Sequence, residues 1–131
     1  MNLQEIFDTV ARHLQTQNER ALHKGLCQYR TADGLKCAVG CLIPDTLYDS
    51  CIEGVGIVKL IEFDKYKLQT DKVTTFKKIL KALDLLGDEK LNLLKDLQKV
   101  HDHYPCSRWP EELKDIAQEH NLSSAVVRDA Q

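Results

Sequence analysis

The sequence predicts a mainly α-helical protein: a single compact domain over residues 1–131, with about five or six helices and a short strand or hairpin near residues 26–36. Three observations carry this. Apolar residues recur at three-and-four spacing in runs beginning at Leu3, Val73 and Leu93, the pattern of helices that bury one face. Glycine and proline fall between these runs, at Gly25, Pro44, Gly87 and Pro105, where they punctuate the chain. Only "LCQYR", residues 26–30, alternates in the manner of a strand.

Taken in order, Leu3, Ile6, Phe7, Val10 and Leu14 make one face of a helix over 3–17. The period is lost in "QTQNERALHKG", which reads as a loop ending at Gly25. The strand from Leu26 leads to a turn at Asp33-Gly34. The "LKCAVGCL" that follows is two helical turns at most, because Pro44 cannot continue a helix and biases Ile43 towards extended geometry. Residues 44–63 show the weakest pattern. Gly54-Val55-Gly56 lacks the third glycine of a phosphate loop and sits beside Glu53, so it reads as a turn.

Beyond Asp71 the helical signal returns. Val73, Phe76, Leu80, Leu83 and Leu86 form a stripe that Gly87 would end, with Asp88 capping the next helix and the two forming a tight hairpin. That next helix carries Leu93, Leu94, Leu97, Val100, His101 and Tyr104 on one face and stops before Pro105. Pro110 suits the first position of a last helix, Glu111 and Glu112 favour its positive end, and Leu113, Ile116 and Ala117 supply its apolar face. Asn121 is a natural stop, and the tail from Ser123 reads as one short turn that then frays.

Composition narrows the class. With 43% hydrophobic and 29% charged residues the chain is neither disordered nor a membrane protein. A net charge of −2 argues against nucleic acid as the partner. "MNLQEIFDTVARHLQ" has no basic stretch followed by an apolar core, so no secretory signal is read there. Five cysteines, an odd number at low density, fit reduced thiols in a cytoplasm.

The stretch "LCQYRTADGLKCAVGCLIPD", residues 26–45, holds three of those cysteines. Cys27, Cys37, Cys41 and Cys51 invite a zinc reading, since Cys37 and Cys41 lie one helical turn apart. Structural zinc sites usually include a Cys-x2-Cys knuckle, absent here, and Ala-Val-Gly between Cys37 and Cys41 has the composition of a packed turn, so core packing is preferred and no cofactor is expected. A thiol nucleophile would be Cys37, in the first turn of a helix beside Lys36. Its base would come from His13, His23, His101, His103 or His120, none set by a local motif. Gly40 is costly inside a helix and marks a point where another element, most simply a helix, approaches the backbone.

In "VHDHYPC", His101-Asp102 resembles the dipeptide of metal-dependent phosphohydrolases. Helical spacing, however, places His101 on the apolar stripe as a core histidine and leaves Asp102 and His103 in solvent. Lys65, Lys67, Lys72, Lys77, Lys78 and Lys81 are opposed only by Asp71 within residues 65–83. Lys77, Lys78 and Lys81 therefore form a basic face, either simply solvated or attached to an acidic partner. Tyr29, Arg30, Asp33, Asp45 and Tyr48 form a polar and aromatic rim that core packing does not explain. Arg30 could reach Asp33 across the turn. Trp109, before Pro110, staples the last helix or serves as a binding residue.

The combination Cys27-x-Tyr29-Arg30, Asp33-Gly34, Cys37-Ala38-Val39-Gly40-Cys41-Leu42-Ile43-Pro44-Asp45 and Tyr48, followed by Glu53-Gly54, with "LQKVHD" at 97–102 and "WPEELKDIA" at 109–117, resembles a group of small, mostly uncharacterised proteins encoded by tailed bacteriophages and prophages. The resemblance implies a setting in the bacterial host cytoplasm, where small accessory proteins bind and inhibit host machinery, and it transfers no residue role. The expectation is a non-enzymatic accessory protein that contacts a host protein, such as a defence or metabolic complex. The alternative is a cysteine-dependent enzyme, with Cys37 and His101, or a zinc-stabilised domain centred on Cys37 and Cys41.

Overall fold

The structure, a computed structural model, describes residues 1–67 and 70–128. Among these the protein is mainly helical, as predicted: α1 (Leu3–Gln17), α2 (Ile57–Lys65), α3 (Asp71–Ala82), α4 (Asp88–His103) and α5 (Trp109–Glu119), with a two-stranded hairpin β1 (Leu22–His23) and β2 (Leu26–Cys27). The frayed end expected for the tail lies in residues 129–131, outside the described residues. No described helix is long and apolar enough to cross a membrane.

Helix α1 starts where a capping box allows it. Asn2 Oδ1 accepts the Glu5 amide at 2.8 Å while Glu5 Oε1 accepts the Asn2 amide at 3.0 Å, which satisfies two otherwise orphaned donors. Its apolar face is Ile6, Phe7, Val10, Ala11 and Leu14, all fully buried. That face packs on α4 and α5, which also pack on each other. Gln4 and Gln15 of α1 strap the tail, accepting from the Ser123 and Arg128 amides and donating to the Ser123 and Val126 carbonyls.

Three boundaries differ from expectation. The hairpin draws its first strand from the segment read as a loop, because Lys24 (φ 52°) and Gly25 (φ 79°) form a two-residue turn with both central residues left-handed, the geometry that matches strand twist. Across Asp33-Gly34 there is only a single antiparallel bridge, Arg30 to Lys36. Helix α3 ends at Ala82, not near Leu86. Asp84 takes φ 57°, the Leu85 amide reaches back to the Leu80 carbonyl at 2.9 Å, and Gly87 is the N-cap of α4. The turn swings α3 onto α2 and onto a 3-10 turn at Ser50–Ile52 in place of the tight pairing with α4.

Helix α2 occupies the stretch whose pattern was weakest. Its buried residues are Ile57 and Leu60 alone, two positions in nine, too few for a legible period.

Candidate functional site

The cysteine-rich stretch folds as a short irregular core piece. The expected helix at Leu35–Leu42 is a turn followed by a 3-10 turn at Gly40–Leu42. Cys37 is therefore not in the first turn of a helix. It is 1% exposed, and burial drives its thiol well above its ordinary value, against the opposing pull of the Gly40 amide, which donates to its Sγ at 3.3 Å. Cys41 donates to the Ala38 carbonyl at 3.0 Å, and burial pushes it up to about 12. These are packed thiols, the opposite of activated ones. Gly40 does mark a close approach, but the neighbour is the Tyr29 backbone. A Cβ there would lie 2.0 Å from the Tyr29 carbonyl oxygen.

The four cysteines nominated as ligands do not converge. Among the described residues, the group whose potential ligand atoms all lie within 4.8 Å of one another is Cys27, His101 and Asp102. His101 is fully buried, as its place on the stripe predicted. Its Nε2 accepts the Ala21 amide at 2.9 Å, so the hydrogen-bond network assigns the ring proton to Nδ1, which donates to Asp102 Oδ1 at 2.8 Å. Both nitrogens are committed, and neither can serve Cys37 as a base. Holding a cation would require the Nδ1 lone pair, which moves the proton to Nε2 and sets it against the Ala21 N–H. The donor set thus fits a protonated cluster better than a metal.

Asp102, which helical spacing predicts to lie in solvent, is instead drawn into this cluster. It is half-buried, accepts from Gln98 at 2.8 Å as well as from His101, and takes a hydrogen bond from Cys27. Burial works to raise its carboxyl, but the donors outweigh it and hold the group below the usual carboxylate range. Burial, followed by the Asp102 hydrogen bond, pushes Cys27 up to about 11. His103 is exposed. Arg20 donates to the His101 and Asp102 carbonyls at the end of α4, where free carbonyls await partners. Trp109 is 1% exposed, stacks on His101 at 5.9 Å and donates to the Tyr104 carbonyl at 3.0 Å. It is a staple, and the binding role proposed for it does not survive its burial.

The rim divides. Tyr29 is 6% exposed and its hydroxyl donates to the Val55 carbonyl, so it belongs to the core. Asp33 is exposed and accepts from Thr31. Arg30 turns away from it and pairs with Asp45 at 2.6 Å, donates to the Ile43 carbonyl at 2.6 Å and lies 4.5 Å from the Tyr48 ring centre. The residue that organises this cluster is Glu53, which sequence reasoning used to argue against a phosphate loop and as part of the phage-protein pattern, without giving it a structural role. Its carboxylate accepts the Tyr29 and Arg30 amides at 2.8 and 3.2 Å and the Tyr48 hydroxyl at 2.6 Å. Arg30, Asp45 and Tyr48 are thus brought together, but chiefly to fasten the chain after β2 onto the loop before α2.

A second surface is concave. Beside α2 run two adjoining cavities of about 260 and 340 Å³ that share Leu60, Asp64 and Lys77. Ile61, Leu86 and Leu91, with Asp88 and Asn92, line one; Phe63 and Val73, with Lys67 and Thr74, line the other. Asp64 and Lys77 form an ion pair of 2.6 Å between α2 and α3 that crosses the groove. Lys78 and Lys81 are exposed on the same helix and line neither cavity, and of the predicted basic face only Lys77 has an acidic partner among the described residues. No protein-family model, curated protein or solved structure matches the chain.

Proposed function

We propose that the protein acts by binding another protein, as an accessory factor of the kind encoded by tailed phages and prophages, with a host defence or metabolic complex as its target class. The observation that carries this reading is the groove along α2, an open concavity in which Leu60, Ile61, Phe63, Val73, Leu86 and Leu91 share the walls with Asp64, Lys67, Lys77 and Asp88. Such concavities are where partners seat apolar anchors. The side chains capable of chemistry support the same reading, because they are committed internally: both nitrogens of His101, the Asp102 carboxylate, and the thiols of Cys27, Cys37 and Cys41.

Affinity capture tests it. The tagged full chain, incubated with bacterial lysate, is expected to retain one or a few proteins in stoichiometric amount over a tag-only control. Retention of none, from lysates of several hosts, would overturn the reading.

A further inference from the structure

We infer that the groove along α2 receives an acidic amphipathic helix of the partner, an inference that rests on the binding reading above and names the chemistry of what is bound. Two features select this occupant. The first is charge. Residues 59–81 carry seven lysines against Glu62, Asp64 and Asp71, in a chain whose net charge is −2. The α2–α3 unit is therefore a basic lobe on an otherwise acidic molecule, and Lys78 and Lys81 stand exposed with no acidic partner among the described residues. A surface of one sign recruits a partner of the other and steers its approach.

The second feature is shape. The nine residues of α2 span about 13 Å, close to the length over which a helix presents apolar anchors at i, i+4 and i+7. A cavity lies on each side of the Asp64–Lys77 pair, so one anchor fits beside Leu86 and Leu91 and another beside Phe63 and Val73. The pair itself is an exposed clasp, its side chains 63% and 49% accessible. Exposed ion pairs of this kind contribute little, so Lys77 can leave Asp64 for a partner carboxylate without loss of the fold. Helix between helices is also the packing that ridges and grooves favour.

The probe is a fluorescein-labelled peptide of about 18 residues with leucines on one helical face and glutamates on the other. Its controls are the same peptide with lysines for glutamates, a scrambled peptide of equal composition, and a single-stranded DNA as a polyanion. With the full wild-type chain, the acidic peptide is expected to bind saturably, to weaken about tenfold as salt rises from about 50 to about 500 mM, and to shift the NMR signals of α2 and α3. The Lys78→Glu/Lys81→Glu variant, altered only at exposed positions, should bind about tenfold more weakly. Asp64→Asn, which opens the clasp, should bind a few-fold more tightly.

Equal binding of the lysine or scrambled peptide would overturn the inference. So would DNA binding at least as tight, shifts confined to other surfaces, or occupation of the groove by a second copy of the chain. If Lys78→Glu/Lys81→Glu still captures from lysate what the wild type captures, the groove proposal fails while the binding reading stands. If neither captures anything, the binding reading fails by itself.

Discussion

At the scale of single residues, Glu53 is the polar hinge of the molecule. After β2 the Gln28 amide goes to the Ala21 carbonyl and the Thr31 amide to the Leu35 carbonyl, and between them one carboxylate accepts the amides of Tyr29 and Arg30 together. It also accepts the Tyr48 hydroxyl, which orients the ring beneath Arg30. Truncation to alanine leaves two part-buried amides and a hydroxyl without their acceptor, so Glu53→Ala should lose about 2–4 kcal/mol of stability. Glu53→Gln keeps one acceptor oxygen and should lose roughly half as much. Urea titrations of the two variants check this, and equal midpoints for wild type and Glu53→Ala would refute the role. Nothing local in the sequence marks Glu53 for it: a carboxylate that serves backbone more than twenty positions away leaves no spacing to read. His101 is the contrary case, since its position on the α4 stripe was enough to place it in the core. Asp102, one residue on, was misjudged because its burial comes from Cys27 and Arg20, outside the helix that carries it.

At the scale of elements, legibility followed the amount of apolar face each element buries. Helices α1, α4 and α5 bury long stripes and were readable to within a few residues. Helix α2 was missed because it buries two side chains and leaves Val58 53% exposed. The hairpin was half missed because Lys24-Gly25 is not among the usual turn pairs, although its geometry is the usual one. The groove was unreadable for a related reason, as its walls come from α2, α3 and the start of α4, and no one stretch carries its pattern. Helix α2 also begins without a side-chain cap. Gly56, its N-cap, has an ordinary backbone (φ −84°, ψ 165°), and a Cβ there would meet nothing within 4 Å. Gly56→Asp can therefore supply an acceptor for the first amides of α2, a charge suited to the helix's positive end, and a less flexible unfolded chain. It should stabilise the protein by about 0.5–1 kcal/mol. Thermal unfolding checks this, and a lowered Tm would show that the glycine is needed for its lack of a side chain.

At the scale of the whole molecule, polar groups join regions that the apolar core alone would leave loosely ordered, and two of them titrate. His13 on α1 donates to the Lys36 carbonyl at 2.9 Å, taking the imidazole as the Nε2–H form. Burial holds it below its ordinary value of 6.5, and the hydrogen bond to Lys36 offsets this only in part. The unfolded chain then binds more protons than the folded one just below pH 6.5, so stability falls as pH is lowered through that region. Asp102 is also held low, its donors outweighing its burial. Its contribution is present above the unfolded carboxylate value of about 3.9 and is lost as pH falls below it. The expected profile is a loss of stability in two stages, the first setting in near pH 6.5 and the second in the carboxylate range. His13→Gln, which retains a donor for Lys36 but cannot be protonated, should flatten the first stage and leave the second. Urea midpoints measured between about pH 7 and about pH 3.5 on both proteins separate the two. A His13→Gln profile parallel to wild type from pH 7 to the carboxylate range would mean that His13 is not what links α1 and the cysteine-rich turn to pH.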